Sequence, residues 1–395
     1  MTAEKKKKIF HYFRATGLHE LDDDFNKWVC NWLKITYCVI KMKSGNHTDV
    51  KILKNCNGEH AESFAISEIG IYYFIHDNIL SSKTVDMYLN YSPCSDCAQE
   101  LIEMVDRINI SMNIYFVQLY HARRQSCEDR NDRCYGGGDE SGLKNLYDCE
   151  RIKITNFDRY KVWLDLGHIL GLGRYPFLNT HQRESRLRED TEVTEDFKLI
   201  INEIVFDDFF YSGLHETTDC CEQRQACCVS KIDRSSGEPA KVFIKSTTRE
   251  FSAEEKTLRC LKDYIDREIK SGHTTATIYM NRSPSHHFLE ELMGWAEIFF
   301  HVRLVKLEGV PHDLCGPQCK TPRYNHHQKR RNKKMIREMN DSKWDTISCF
   351  KKKTWKNLSS ILEIRKVNRE KRDWELRHDE DENVADALDV ILCNR

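Results

Sequence analysis

His60 and Glu62 stand two residues apart in NCNGEHAESF (55–64), behind a turn rich in Asn and Gly. Farther on, SPCSDC (92–97) carries Cys94 and Cys97 as a Cys-x-x-Cys. One imidazole and two thiolates are three donors for a tetrahedral zinc. They leave its fourth position open, as a catalytic site requires and a structural site does not. Glu62 would then not be a ligand. A carboxylate beside such a centre takes a proton from water and hands it to a substrate. Singly, each pair is a weak signal. H-x-E arises by chance on helices, and Cys-x-x-Cys also serves redox and structural sites.

The two pairs are far apart in sequence, so the elements around them must bring them together. WLKITYCVIKM (32–42) is rich in β-formers and predicts a strand, with VKILKN (50–55) as its hairpin partner. Residues 59–76 predict a helix apolar on most of its surface, hence buried. TVDMYLNY (84–91) predicts a strand leading into SPCSDC, which opens a helix from Cys94 to Ile108. NIYFVQLY (113–120) and RIKITNF (151–157) predict two more strands, and DRYKVWLDLG (158–167) a helix. Both donor sets then fall at helix N-termini, where unpaired N–H groups and the helix dipole favour thiolate. Strands alternating with helices predict an α/β fold, a mixed sheet of roughly five strands flanked by helices.

The chain repeats itself. FHYFRATGLHELDD (10–23) resembles FDDFFYSGLHETTD (206–219), and YCVIK (37–41) resembles CCVSK (227–231). EHAES (59–63) resembles FSAEE (251–255), and YLNYSPCSDC (88–97) resembles YMNRSPSHHF (279–288). The order is kept at offsets near 190, which predicts a duplication. Its expected bounds are 1–185, a charged linker 186–196, a second copy 197–378 and a tail 379–395, the tail a short docking helix or a loose end. In the second copy Ser252, Ser285 and Phe288 stand where the first has His60, Cys94 and Cys97, while Glu254 matches Glu62. Three missing donors predict a degenerate, inactive site. Cys315 and Cys319 with His326 and His327 have passable spacing for a second, structural zinc. A Gly/Pro turn with spare thiols is the alternative. QKRRNKK (328–334) reads as a phosphate-binding patch, an import signal or a solvated surface. CFKKKTWK (349–356) interleaves lysines with Phe350 and Trp355, a pattern suited to single strands through charge plus stacking.

Lys+Arg total 61 against Asp+Glu 62, a net charge of -1, so a globally basic nucleic-acid binder is excluded and any phosphate binding must be local. No apolar run is long enough to predict a membrane span. MTAEKKKKIFHYF has no apolar h-region, so a nuclear or cytoplasmic location is expected rather than secretion. The 17 cysteines then read as buried thiols or metal ligands.

Taken together, H-A-E and S-P-C-x-x-C match the zinc deaminase signature. Residues 10–170 resemble the AID/APOBEC family of polynucleotide cytosine deaminases. Asn55, Asn57, Gly58, His60 and Glu62 match N-x-N-G-x-H-x-E, and Ser92 to Cys97 match S-P-C-x-D-C. GLKNLYDCERIKITNFDRYKVW (142–163) is similar to the family's ending, which free-nucleoside deaminases lack. The resemblance implies two tandem cytidine-deaminase-like domains. It implies one zinc on His60, Cys94 and Cys97, with Glu62 as proton shuttle. Asn55 would contact the nucleotide sugar, Tyr91 and Tyr120 would wall the base, and Ser92 would hold it through its carbonyl. The long loop 121–141 departs from the family; its Arg123, Arg124, Arg130 and Arg133 would grip phosphates against interleaved acids, and a solvated loop is the alternative. The family's S-W-S-P-C is here Asn90-Tyr91-Ser92-Pro93-Cys94, which alters that pocket. The implied reaction is cytosine to uracil in single-stranded nucleic acid, DNA favoured and RNA the alternative. The implied setting is antiviral innate immunity, control of mobile elements or immune diversification. The second copy would bind nucleic acid or self-associate. Two rivals stand beside this reading: a deaminase of cytidine or deoxycytidylate, and a nucleic-acid binder with a vestigial centre. The 142–163 ending argues against the first, and the complete His60/Glu62/Cys94/Cys97 set against the second.

Overall fold

The computed structural model describes residues 2–16, 19–22, 27–30, 35–45, 47–75, 83–120, 122, 140–157, 160–172, 180–212, 226–233, 240–247, 252–268, 274–295, 298–305, 326–341, 346–364 and 374–393. They fall into two compact units, Met1–Ile201 and Asn202–Arg395. Helix α1 (Ala3–Ala15) opens the first unit and buries Ile9, Phe10 and Phe13. A short antiparallel hairpin follows, β1 (His19–Asp22) and β2 (Lys27–Cys30). Then come β3 (Tyr37–Ser44), β4 (His47–Lys54), α2 (Ala61–Ile75), β5 (Lys83–Tyr91), α3 (Ser95–Ile108), β6 (Ser111–Gln118), α4 (Glu140–Asp148), β7 (Ile152–Asn156) and α5 (Tyr160–Ile169). Helix α6 (Thr180–Phe210) runs across the boundary between the units.

The sheet order is β4-β3-β5-β6-β7. β3 is antiparallel to β4 and β5, whereas β5, β6 and β7 are parallel. Parallel neighbours require crossovers, which α3 and α4 supply. This is the predicted mixed five-stranded α/β layer.

The second unit contains β8 (Cys227–Asp233), β9 (Lys241–Ser246), α7 (Ala253–Glu268), β10 (Thr274–Met280), α8 (His286–Met293), β11 (Ile298–Leu304), α9 (His326–Asp341), β12 (Thr346–Cys349), α10 (Lys352–Ile361) and α11 (Trp374–Cys393). Its sheet order is β9-β8-β10-β11-β12, with β8 antiparallel to both neighbours and the last three strands parallel. The two sheets therefore share one topology, as a duplication demands.

The charged stretch 186–196 is not a linker. It lies inside α6, and Arg186 and Asp190 are buried there. Arg186 donates through Nε to Asp190 Oδ1 (2.9 Å) and through Nη1 to the carbonyl of Thr16 (2.6 Å). Trp163 donates its indole N–H to Asp190 Oδ2 (2.8 Å). The pair thus satisfies carbonyls left open at the end of α1. Residues 379–393 belong to a helix that docks on the core, one of the two expectations for that stretch beside a loose tail. α11 buries Arg377 and Asp381, which repeat the arrangement. Arg377 Nε reaches Asp381 (3.0 Å), its Nη1 reaches Ser212 O (2.8 Å), and Trp355 donates to Asp381 (2.7 Å). One long helix therefore closes the first unit at its start and opens the second at its end, where Val205, Phe206, Phe209 and Phe210 fill the core. The expectation of a linker fails because a buried Arg–Asp lock has the composition of a solvated one.

The stacking role expected for Phe350 and Trp355 is also corrected. Trp355 is 2% exposed and Phe350 1%. Their rings pack together at 4.6 Å, so neither meets a base. Only the lysines of CFKKKTWK face outward.

Candidate metal centre

A tight turn delivers His60. Cys56 and Glu59 exchange both backbone hydrogen bonds (3.1 and 2.9 Å) around Asn57 and Gly58. Both central residues have positive φ, 51° and 85°, as a type I′ hairpin turn requires. The Asn-Gly dipeptide thus sets the exit direction of the chain immediately before His60 and α2.

Cys94 is delivered by the other half of the sheet. β5 ends at Tyr91, and Ser92 N–H donates to Gln118 O (2.8 Å) at the end of β6. Cys94 is the N-cap of α3 with extended backbone and no side-chain cap bond, leaving its Sγ free to turn toward His60. Cys97 lies in the first turn of the same helix. Gly142 of α4 seats that turn. A Cβ there would stand 2.6 Å from Ser95 Cα, so only glycine lets α4 pack against the Cys-x-x-Cys.

These elements converge. His60 Nδ1 is 3.2 Å from Cys97 Sγ and 3.4 Å from Cys94 Sγ, and the three donor atoms lie within 4.8 Å of one another. Such spacings suit the edges of a tetrahedron with bonds of about 2.0–2.3 Å. The hydrogen bond with Cys97 and the neighbouring imidazole pull the Cys94 thiol down to about 6, while the same contact and burial push Cys97 up. Glu62 is 4% exposed in the first turn of α2. Burial lifts its carboxyl to about 7. Its Oε2 has no hydrogen-bond partner among the described residues. An orphaned buried carboxylate oxygen beside two thiols and an imidazole fits a zinc with a water on its open side.

Residues 31–149 match the family model APOBEC3H. That stretch is similar to the AID/APOBEC family. The match covers β3 to α4 and includes every residue of the cluster.

Around the cluster, the predicted substrate residues divide. Tyr91 is buried, and its ring meets that of half-buried Tyr120 edge-on at 6.1 Å. Ser92 Oγ accepts from Tyr120 N–H (2.8 Å), so the serine fixes the segment that carries Tyr120. Asn55 Oδ1 accepts from Thr36 N–H (3.0 Å), which pins the approach to β3. Arg123, Arg124, Arg130, Arg133, Cys315 and Cys319 lie outside the described residues. His326 and His327 open α9, and their side chains are likewise outside the description. Gly142 was not among the expected site residues, although its place in GLKNL was a signal of close packing. Nor was Asn90. That residue takes Tyr37 N–H on Oδ1 (2.8 Å) and donates to Ile35 O (2.9 Å), fastening β5 to the start of β3.

The second unit has the same helices and none of the donors. Ser252 Oγ accepts from Glu255 N–H (3.1 Å), while Glu255 accepts from Ser252 N–H (2.9 Å), a reciprocal capping box. Ser285 caps α8 and donates to Glu254 Oε2 (2.5 Å), whose other oxygen accepts from Ser285 N–H (2.8 Å). Phe288 is core. At each donor position the fold has taken the residue for its own stability, two as helix caps and one as packing.

Proposed function

We propose that the first unit hydrolytically deaminates cytosine to uracil in single-stranded nucleic acid, with DNA preferred to RNA. His60, Cys94 and Cys97 would hold a zinc, which supplies Lewis acidity and an activated water when bound. Glu62 would hold a proton from that water at Oε2 and pass it to the base as ammonia leaves. Tyr91 and Tyr120 would border the base, and Arg123 and Arg124 would contact phosphates. The observation that carries this reading is the buried, partnerless Glu62 oxygen beside the three donors. A second unit whose donor positions are caps and core supports a non-catalytic role there. A defence or immune-diversification setting follows from the family alone.

The test is deamination of a cytosine-containing single-stranded DNA, the matching RNA and free deoxycytidine by the full chain, with Glu62→Gln as control. The reading expects turnover on the oligonucleotides, DNA foremost, and none in the control. Turnover on deoxycytidine alone would install the small-substrate reading. No turnover by a zinc-loaded chain that still binds the oligonucleotides would install the vestigial-centre reading.

A further inference from the structure

α2 and α7 are the same element of the duplicated fold, 192 residues apart. Their buried positions correspond: Ala61, Ala65, Ile69 and Tyr72 match Ala253, Thr257, Leu261 and Tyr264. Their outer faces do not. On α7 that face carries Arg259, Lys262, Asp263, Asp266 and Arg267, facing solvent. The matching residues of α2 are Ser67, Gly70, Ile71, Phe74 and Ile75. Phe74 is 87% exposed, Ile75 65% and Ile71 56%. A helix apolar all round is normally a buried one. α7 shows that this place in the fold is compatible with an ordinary charged surface.

We propose that this face of α2 is a self-association surface, on which two copies of the chain pack α2 antiparallel against α2. The face is complementary to itself. Its small residues, Ser63, Ser67 and Gly70, lie toward one end, and Phe74 and Ile75 toward the other. Nothing stands within 4 Å of where a Gly70 Cβ would be, so a shallow seat is open there. A two-fold axis near Ile71 places Phe74 of each copy over the turn from Ser67 to Gly70 of the other, as an isologous contact requires. The flank beside β4 holds Glu68 and Asp49 on one lysine, Lys51 (3.3 and 3.6 Å), a single net negative charge per copy at the margin of the apolar face. Size fixes the strength. The three apolar side chains expose on the order of 400 Å² per copy, within the range of a functional patch. Two copies then bury roughly 800–1,000 Å², the low end of specific interfaces, which suits a reversible dimer in the micromolar range. α2 has 15 residues, too short to span a bilayer.

Sedimentation equilibrium of the nuclease-treated full chain tests this over about 1–100 µM. The wild type should pass from one to two copies across that range, and amide exchange in 61–75 should slow as it does. Ile71→Asp/Phe74→Asp installs acids of the kind that α7 carries. It should weaken association at least ~10-fold without changing zinc content or melting temperature. Val242→Asp, at an exposed apolar site of the second unit, should associate as the wild type does. Should the double variant fold poorly, Phe74→Ser with the wild-type exchange data decides the question. A wild type that stays monomeric throughout overturns the proposal. So does a dimer that survives the double substitution, or one whose protection falls outside α2. Binding of the monomer to lipid vesicles through Phe74 would overturn it in favour of a membrane.

Discussion

At the scale of single residues, the difference between a reactive and a structural helix start is one side chain. Ser285 caps α8 and holds both oxygens of Glu254, whereas Cys94 at the matching start of α3 makes no side-chain cap bond and Glu62 Oε2 has no partner among the described residues. That arrangement has a signature in pH. The folded protein holds the Glu62 proton up to about 7, while the unfolded chain releases it near an ordinary carboxylate value of about 4.3. The carboxyl therefore favours the folded state below about pH 4, and that contribution disappears as pH rises through about 7. In chelator-treated protein, Glu62→Gln removes this dependence. Its first-unit stability relative to the wild type should rise by roughly 2–3 kcal/mol between pH 5 and pH 8. Parallel urea curves at the two pH values measure it, and equal gaps at both would show that Glu62 is not the raised group. In zinc-loaded protein the same substitution should cost at least ~10²-fold in deamination rate, the scale for losing a general acid–base group. A Glu62→Gln protein within a few-fold of wild type would remove Glu62 from the proton-transfer role.

At the scale of elements, the sequence was legible wherever periodicity governed. β3, β4, α2, β5, α3, β6, β7 and α5 all lie within a few residues of their expected ranges. α6 was illegible because its buried face is polar. Arg186 and Asp190 complete each other and then answer Thr16, so their burial depends on partners about 170 residues away in the sequence. Trp355 was misread for the opposite reason: lysines beside an aromatic resemble a stacking surface, yet the indole is bonded inward to Asp381. Arg186→Ala should therefore destabilise the first unit by about 3–5 kcal/mol, since it leaves a buried carboxylate without its cation, bonded only by the Trp163 indole among the described side chains. Trp355→Ala should cost the second unit a similar ~3–5 kcal/mol through the cavity it opens. Under conditions where the Trp355→Ala chain remains folded, its affinity for single strands should be unchanged. A folded variant with weakened affinity would restore the stacking role.

At the scale of the whole molecule, a net charge of -1 hides an uneven distribution. α9 presents Arg330, Arg331, Lys333 and Lys334 to solvent, and Lys334 pairs with Glu338 at 3.4 Å. Ile336 and Met339 hold the opposite face of that helix in the core, so the basic side cannot turn inward. The donor-bearing unit and the α9-bearing unit thus divide chemistry from charge. The metal should follow the donors. The purified chain should hold one zinc, and Cys94→Ala should lose it, as emission or mass spectrometry would read. A full equivalent surviving in that variant would place the metal elsewhere. Affinity should follow α9. Reversing Arg330, Arg331, Lys333 and Lys334 to Glu should weaken binding to single strands of any sequence. The slope of log affinity against log salt should become shallower by about 0.7 for each phosphate that the variant no longer neutralises. Turnover at saturating substrate should stay within about two-fold, because none of the four belongs to the cluster around Glu62. A variant with unchanged affinity and salt slope that fails to enter nuclei would instead make the basic run an import signal.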